Sequence, residues 1–324
     1  MKEYEAPWWL PGGHLQTIAA ALAPAPHIAW HRERWDTPDG DFIDLDWADP
    51  AQRRDDSPLI ALFHGLEGSS NSPYARAIAA QARAAGWRCV VPHFRGCSGE
   101  LNRLPRAYHS GDSDEIGWVL HRLQARHARP GMLFAAGISL GGNALLKYLG
   151  ESGTATTIAR AAAVSAPLEL AAAGGALDRG LSREIYTRMF LRTLRSKSLA
   201  KLRMHPGLFE VARLRAARTF WEFDDAVTAP LHGFLGADDY WARSSSAPWI
   251  GRIRVPALVL NARNDPFMPA AVLDKVAREL RDACGLRDAP VPVVLEFPPT
   301  GGHAGFPGRN RWLARRVFDF LSSP

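Results

Sequence analysis

Cysteine is scarce: Cys89, Cys97 and Cys284 are the only three in 324 residues, an odd number with no C-x-x-C pair. A disulfide framework or a zinc site does not fit that pattern, whereas reduced thiols in a cytoplasmic protein do. Neither a glycine-rich phosphate loop nor a metal-ligand spacing occurs, so no cofactor and no metal are expected. No internal repeat at a solenoid or propeller period is present. Long apolar runs are missing as well. Ala6 to Trp30 carries no formal charge, yet Pro7, Pro11, Gly12, Gly13, Gln16, Pro24 and Pro26 interrupt it too often for a transmembrane helix. The opening M-K-E-Y-E-A-P-W-W-L lacks the basic and apolar regions of a signal peptide. Residues 1–27 therefore read as a non-helical arm packed on the domain, with a loose interfacial contact through Trp8, Trp9 and Leu10 as the alternative.

What is present is the composition of a globular protein, 47% hydrophobic and 22% charged, in a chain long enough for one large α/β domain with insertions. The net charge of +6 is unevenly placed. Residues 179–218 hold eleven Lys and Arg against Glu184 and Glu210, a local charge of +9, so the remainder sums to −3. Any account of partners starts from that segment. No nucleic-acid recognition motif accompanies it, so nucleic acid is not an expected partner and an anionic substrate or lipid surface fits better.

Short β-rich runs alternate with helical stretches, the pattern of a mostly parallel sheet flanked by helices. Ile28–Trp35 and Phe42–Trp47 flank the turn T-P-D-G-D and predict an antiparallel hairpin. Leu59–Phe63, Arg88–Val91, Met132–Ala136, Ala161–Val164, Ala257–Leu260 and Val293–Phe297 complete about eight strands. Helical patterns fall at roughly 73–85, 112–127, 140–150, 269–282 and 310–322. The alternation fails from about 167 to 252. There Tyr186, Phe190 and Leu194 repeat every four residues opposite Arg188, Arg192 and Arg195, as on an amphipathic helix. A helical insertion of this length predicts a cap over the sheet's C-terminal edge, where ligands bind in open α/β sheets. Its arginines would either pair with acids of the main domain or face an anionic interface.

Gly137-Ile138-Ser139-Leu140-Gly141 follows the apolar run M-L-F-A-A and precedes a helical one. So tight a strand-to-helix turn needs small residues on both sides and lifts the serine hydroxyl above the sheet. The helix start behind it offers N–H groups to a developing oxyanion. Ser139 is thus the candidate nucleophile, and a serine needs a base and an orienting acid. Of the histidines after Ser139, His205 and His232 fall in the insertion, while His303 sits in the glycine-rich loop P-T-G-G-H-A-G-F after the last strand. Asp265 ends the run A-L-V-L-N-A-R-N-D and is the candidate acid. Asp224, Asp225, Asp238 and Asp239 are rivals inside the insertion. The second oxyanion donor is expected in F-H-G-L-E-G-S, the N–H of Leu66 beside that of Leu140. His64 and Glu67 read as residues that order this loop, Glu67 alternatively facing solvent. Arg95, Tyr108, His109 and His14 read as structural partners.

At these motifs the chain resembles the YheT-like branch of the α/β-hydrolase superfamily. H-G-L-E-G, P-H-F-R-G-C-S-G-E, R-A-Y-H-S-G-D, G-I-S-L-G-G-N, F-D-D-A-V-T-A-P-L-H-G-F, G-G-H-A-G-F and the opening L-P-G-G-H-L-Q-T carry the resemblance across essentially the whole chain. It implies esterase or acylglycerol-lipase chemistry, with Ser139, Asp265 and His303 at the triad positions. The expected function is hydrolysis of carboxylic acyl esters, monoacylglycerol-like or medium-chain, through an acyl-enzyme on Ser139. An acyltransferase or thioesterase would use the same triad, and a non-catalytic binding module on this fold usually lacks a triad member.

Overall fold

The computed structural model describes residues 3–52, 54, 56–285, 291–308 and 311–323. Eight strands form one sheet: β1 (His31–Asp36), β2 (Phe42–Ala48), β3 (Leu59–Phe63), β4 (Arg88–Pro92), β5 (Leu133–Ile138), β6 (Arg160–Val164), β7 (Ala257–Leu260) and β8 (Val293–Glu296). Their order is β1-β2-β4-β3-β5-β6-β7-β8, antiparallel from β1 through β4 and parallel from there on. The hairpin turns where T-P-D-G-D predicts it, with Asp36 opposite Phe42, Thr37 N–H donating to Asp41 O and Gly40 in the left-handed region.

Alternate residues of β3 serve two cores. Leu59, Ala61 and Phe63 pack beneath α3 (Ser113–His127) and α4 (Leu140–Ser152), and Ile60 and Leu62 beneath α2 (Pro73–Ala84) and α14 (Trp312–Leu321). Burial on both faces explains why these strands read as unbroken apolar runs. The helix expected at 310–322 is α14, residue 310 lying outside the described residues, and that at 269–282 is α13 (Ala270–Gly285). Cys89 and Cys97 are free thiols; the side chain of Cys284 lies outside the described residues.

One expectation is overturned. The N-terminal arm is not without helix: α1 spans Gly12–Ala21. The prolines that forbid a membrane span leave twelve residues between Pro11 and Pro24, and ten of them coil into α1.

Between β6 and β7 no strand occurs among the described residues. The chain runs through α5 (Leu170–Leu177), α6 (Gly180–Ser182), a π-turn (Arg183–Thr187) and α7 (Arg188–Met204). It continues through α8 (Val211–Ala216), α9 (Phe220–Phe223), a second π-turn (Asp224–Thr228), α10 (Ala229–His232), α11 (Ala237–Ser244) and α12 (Ala247–Ile250). Leu191, Leu214, Ala217, Phe223, Ala226 and Val227 give this insertion a small core of its own.

Gly150 shows how tightly the insertion's end is seated. A Cβ there would overlap the backbone carbonyl and side chain of Trp249, joining α4 to α12. Gly150→Ala should therefore destabilise the protein by about 1–3 kcal/mol through overpacking. The expected readout is a lower urea midpoint at unchanged slope, and an unchanged midpoint would show that α12 yields freely.

Candidate active site

The turn from β5 to α4 is possible only because its flanks are bare. A Cβ on Gly137 would come within 2.5 Å of Gly141 O, and one on Gly141 within 2.5 Å of Phe63 O and 2.6 Å of His64 O. Between them Ser139 adopts φ 52°, ψ −120°, a region costly for a residue with a side chain. Its N–H donates to Val164 O at 2.8 Å, fixing the turn to the neighbouring strand. Leu140 starts α4, where backbone N–H groups have no carbonyl one turn earlier. Gly65 brings the β3 loop alongside, since a Cβ there would lie 3.2 Å from Ser139 Cβ, and Leu66 and Leu140 both border the cavity beside Ser139.

His303 Nε2 stands 2.9 Å from Ser139 Oγ, and its Nδ1 lies 2.9 and 3.1 Å from the two Asp265 carboxylate oxygens. Facing a carboxylate, Nδ1 carries the proton and Nε2 accepts from the serine hydroxyl. Asp265 is buried and also accepts the Phe267 N–H at 2.8 Å. The ring of Phe267 stacks on His303 at 3.8 Å between centroids and meets Tyr186 and Phe190 of the insertion edge-on.

The rival residues are engaged elsewhere. Asp238 accepts from the Trp221 indole, Asp239 from Leu235 N–H and Arg243, and Asp225 pairs with Arg213. His205 donates to Arg103 O, and His232 lies 4.5 Å from His109 between ring centroids. The loop residues have partners as well. Burial pushes His64 down to about 3, so it is neutral; Nδ1 donates to Gly65 O and Nε2 accepts the Phe94 N–H. Glu67, at φ 55°, faces protein rather than solvent: it accepts from Tyr108 Oη at 2.8 Å and from Lys197 Nζ of α7 at 2.8 Å. Arg95 joins Asp39, Asp41 and Glu115 in a largely buried ion cluster.

The residues that sequence reasoning missed belong to α1. Gln16, fully buried, accepts from Gly301 N–H at 2.8 Å and from the Asn264 side-chain amide at 2.9 Å, and donates to Leu10 O at 2.8 Å. Thr17 Oγ1 accepts the His303 N–H at 2.8 Å while donating to Gly13 O at 2.7 Å. A side chain at Gly13 would overlap the carbonyl of Asn264. One helix thus braces the loops of both Asp265 and His303. No local pattern announces such contacts; the only signal was the unexplained motif L-P-G-G-H-L-Q-T.

Above Ser139 lies a cavity of about 1000 Å³ walled by α1, the β3 loop and the insertion, including Tyr186, Phe190 and Leu194. The insertion's cations do not mainly pair with the main domain. Lys197 bonds Glu67 and Lys201 donates to Asn102 O and Leu104 O, but Arg188 pairs with Glu184 and Arg213 with Asp225 inside the insertion. Arg195 donates to Ala217 O.

The sheet order and the strand–serine–helix turn define an α/β hydrolase. The family model described as alpha/beta hydrolase fold matches residues 58–291. A protein of Escherichia coli (strain K12) named "Putative esterase YheT" is 39% identical over 318 residues, 96% of this chain and 90% of its own. Phospholipase ABHD3 of Homo sapiens is 28% identical over 335 residues, 99% of this chain and 78% of its own. Monoacylglycerol lipase of Saccharomyces cerevisiae is 28% identical over 288 residues, 84% and 61% respectively. An esterase from Pyrococcus furiosus shares the fold at a TM-score of 0.57 and 13% identity, over 91% of both chains. The chain belongs to the α/β-hydrolase family and, within it, to the YheT-like branch.

Two outcomes follow from this geometry. Gln16→Ala would strip partners from the buried Gly301 N–H and Asn264 amide, costing about 1–3 kcal/mol for each group left unsatisfied. Urea unfolding should register the loss, and hydrogen exchange should quicken at the amides of 301–303; unaltered exchange would remove the brace. Asp224 lies in the cavity wall, where burial raises its carboxyl to about 7 although Thr228 and Trp241 donate to it. The folded state then holds this proton more tightly than the unfolded chain. Its contribution is complete below about pH 4 and declines as pH rises to about 7. Asp224→Asn should flatten that part of the stability–pH curve, and an identical slope in the variant would refute the shift.

Proposed function

We propose that the chain is a serine hydrolase of carboxylic acyl esters, working through an acyl-enzyme on Ser139. The observation that carries this reading is the single hydrogen-bonded line Ser139–His303–Asp265 at the floor of a large, mostly apolar cavity. His303 Nε2 takes the proton of Ser139 Oγ as that oxygen attacks the ester carbonyl, and Asp265 holds the imidazole in the right tautomer and stabilises the imidazolium. The N–H groups of Leu66 and Leu140 receive the oxyanion. His303 then protonates the departing alkoxide, and water, deprotonated by the same imidazole, cleaves the acyl-enzyme.

The insertion acts as the cap, and its Tyr186, Phe190 and Leu194 face cover the acyl chain. At about 1000 Å³ the cavity stands at the upper end of small-ligand pockets, roughly 300–1,000 Å³. Medium-chain or monoacylglycerol-like esters therefore fit better than acetyl esters. The names of the relatives, an esterase, a phospholipase and a monoacylglycerol lipase, support the same substrate class. A cytoplasmic location fits the free thiols; among the described residues no helix is long and apolar enough to cross a membrane.

A fluorophosphonate probe should label Ser139 stoichiometrically, and Ser139→Ala should abolish labelling and lower turnover at least roughly a thousandfold. Asp265→Asn should cost on the order of 10⁴ by inverting the His303 tautomer, while Asp238→Asn stays near wild type. Along p-nitrophenyl esters of increasing length kcat/KM should climb, each buried methylene adding up to roughly fourfold. Equal labelling of wild type and Ser139→Ala would sink the assignment.

A further inference from the structure

Two exposed apolar stripes frame the mouth of the cavity. On α1 and its C-cap, Leu15, Ile18 and Leu22 recur at helical spacing, and Leu22 is 78% exposed. On the stretch from α6 into α7, Leu181, Ile185 and Met189 recur every fourth residue, with Leu181 64% and Met189 54% exposed. The stripes are neighbours, because His14 Nδ1 lies 3.2 Å from Tyr186 Oη and the two rings stack. Ile18, Leu22, Ile185 and Met189 also line the cavity, so the apolar surface continues from solvent inward toward Ser139. Trp8 and Trp9, both exposed, lead into α1. Seven of the twelve large apolar side chains most exposed among the described residues belong to these two segments, so the exposure is concentrated here rather than scattered.

The charge beside this face is predominantly positive. Arg179, Arg183, Arg188 and Arg192 are exposed on the same helical stretch, with Glu184 the only acid among them. Apolar residues and tryptophans beside a row of arginines match the two layers of a lipid interface, acyl region and anionic headgroups. A protein partner seated on this face would cover the opening through which substrate passes.

We propose that this face docks on an anionic lipid surface, α1 and residues 181–192 lying in the headgroup layer, so that an acyl chain enters the cavity without crossing water. This deepens the ester-hydrolase reading and rests on it for the identity of what enters, but docking requires no turnover. The test therefore uses the full chain carrying Ser139→Ala, floated with phosphatidylcholine vesicles with and without phosphatidylglycerol. Binding should require phosphatidylglycerol and fade as salt rises above roughly 0.1 M, where exposed charges are screened beyond about 10 Å. Leu15→Gln with Leu181→Gln should weaken vesicle binding at least tenfold; made on the active chain, the pair should leave soluble short-chain ester turnover within about twofold. Arg179→Gln with Arg183→Gln should weaken binding roughly fivefold per arginine. All four side chains are exposed, and should the leucine pair lower the melting temperature, the arginine pair decides alone. Indifference to lipid charge, binding untouched by both pairs, or a stable dimer that the leucine pair dissolves would each overturn the proposal. Vesicle binding without fluorophosphonate labelling of the active chain would instead strike the hydrolase reading and leave docking intact.

Discussion

Everything at the candidate site hangs on one steric constraint, the absence of side chains where β5 turns into α4. Gly141 lies so close to the carbonyls of Phe63 and His64 that any Cβ would part the elbow from the β3 loop. That contact accompanies the positive φ of Ser139, and Leu66 and Leu140 both border the cavity beside it. Strain of this kind persists only when the surroundings over-determine it. Here they do: Ser139 N–H is committed to β6, Asn143 N–H to Ser139 O, and Asn143's own side chain to Ser110 O, Ser244 O and Ser246 N–H. The buried amide thereby joins the elbow's helix to the end of the insertion.

A second constraint works at the sheet's far side. Asp265 and His303 leave different strands on separate loops, and glycine-rich loops hold no geometry by themselves. Their geometry comes from α1. Gln16 bonds backbone or side chain of both loops, Thr17 holds the His303 N–H, and Gly302 accepts the helix so closely that a Cβ would meet Gly13 O and Thr17 N at 2.7 Å. Rigid support of this sort is what keeps a histidine within hydrogen-bond reach of both neighbours.

Legibility followed the range of the interactions. Leu59–Phe63 and Ala257–Leu260 were readable because burial on both faces writes itself as local apolar runs. The serine turn was readable because its steric demand falls on residues two positions away. Asp265 and His303 could be named from chain order and from their place after strands, since this fold collects such loops at one edge. Helix α1 was not readable. It begins behind Pro11 with two glycines, and its stabilising partners are some 285 residues distant. The charge pattern likewise told where the arginines cluster but not where they point; a charge count cannot distinguish Lys197 on Glu67 from Arg188 on its own helix.

The cavity wall carries more titratable groups than an apolar chamber would be expected to hold, and burial acts on each in the same direction. It raises Asp224 to about 7, lowers Lys201 to about 8 and His232 to about 3, lowers His109, and lifts the Tyr108 hydroxyl well above its usual range. Every one of these shifts favours the uncharged form. Lys197 and Arg95 are exceptions, and both are paired, Lys197 with Glu67 and Arg95 with Asp39, Asp41 and Glu115. Lys201, at about 8 still mostly protonated at neutral pH, is held by Asn102 O and Leu104 O, while the arginines of the insertion's outer face are exposed. The cations on the cavity wall are thus bonded to protein groups, those of the outer face are exposed, and the same helix, α7, carries both.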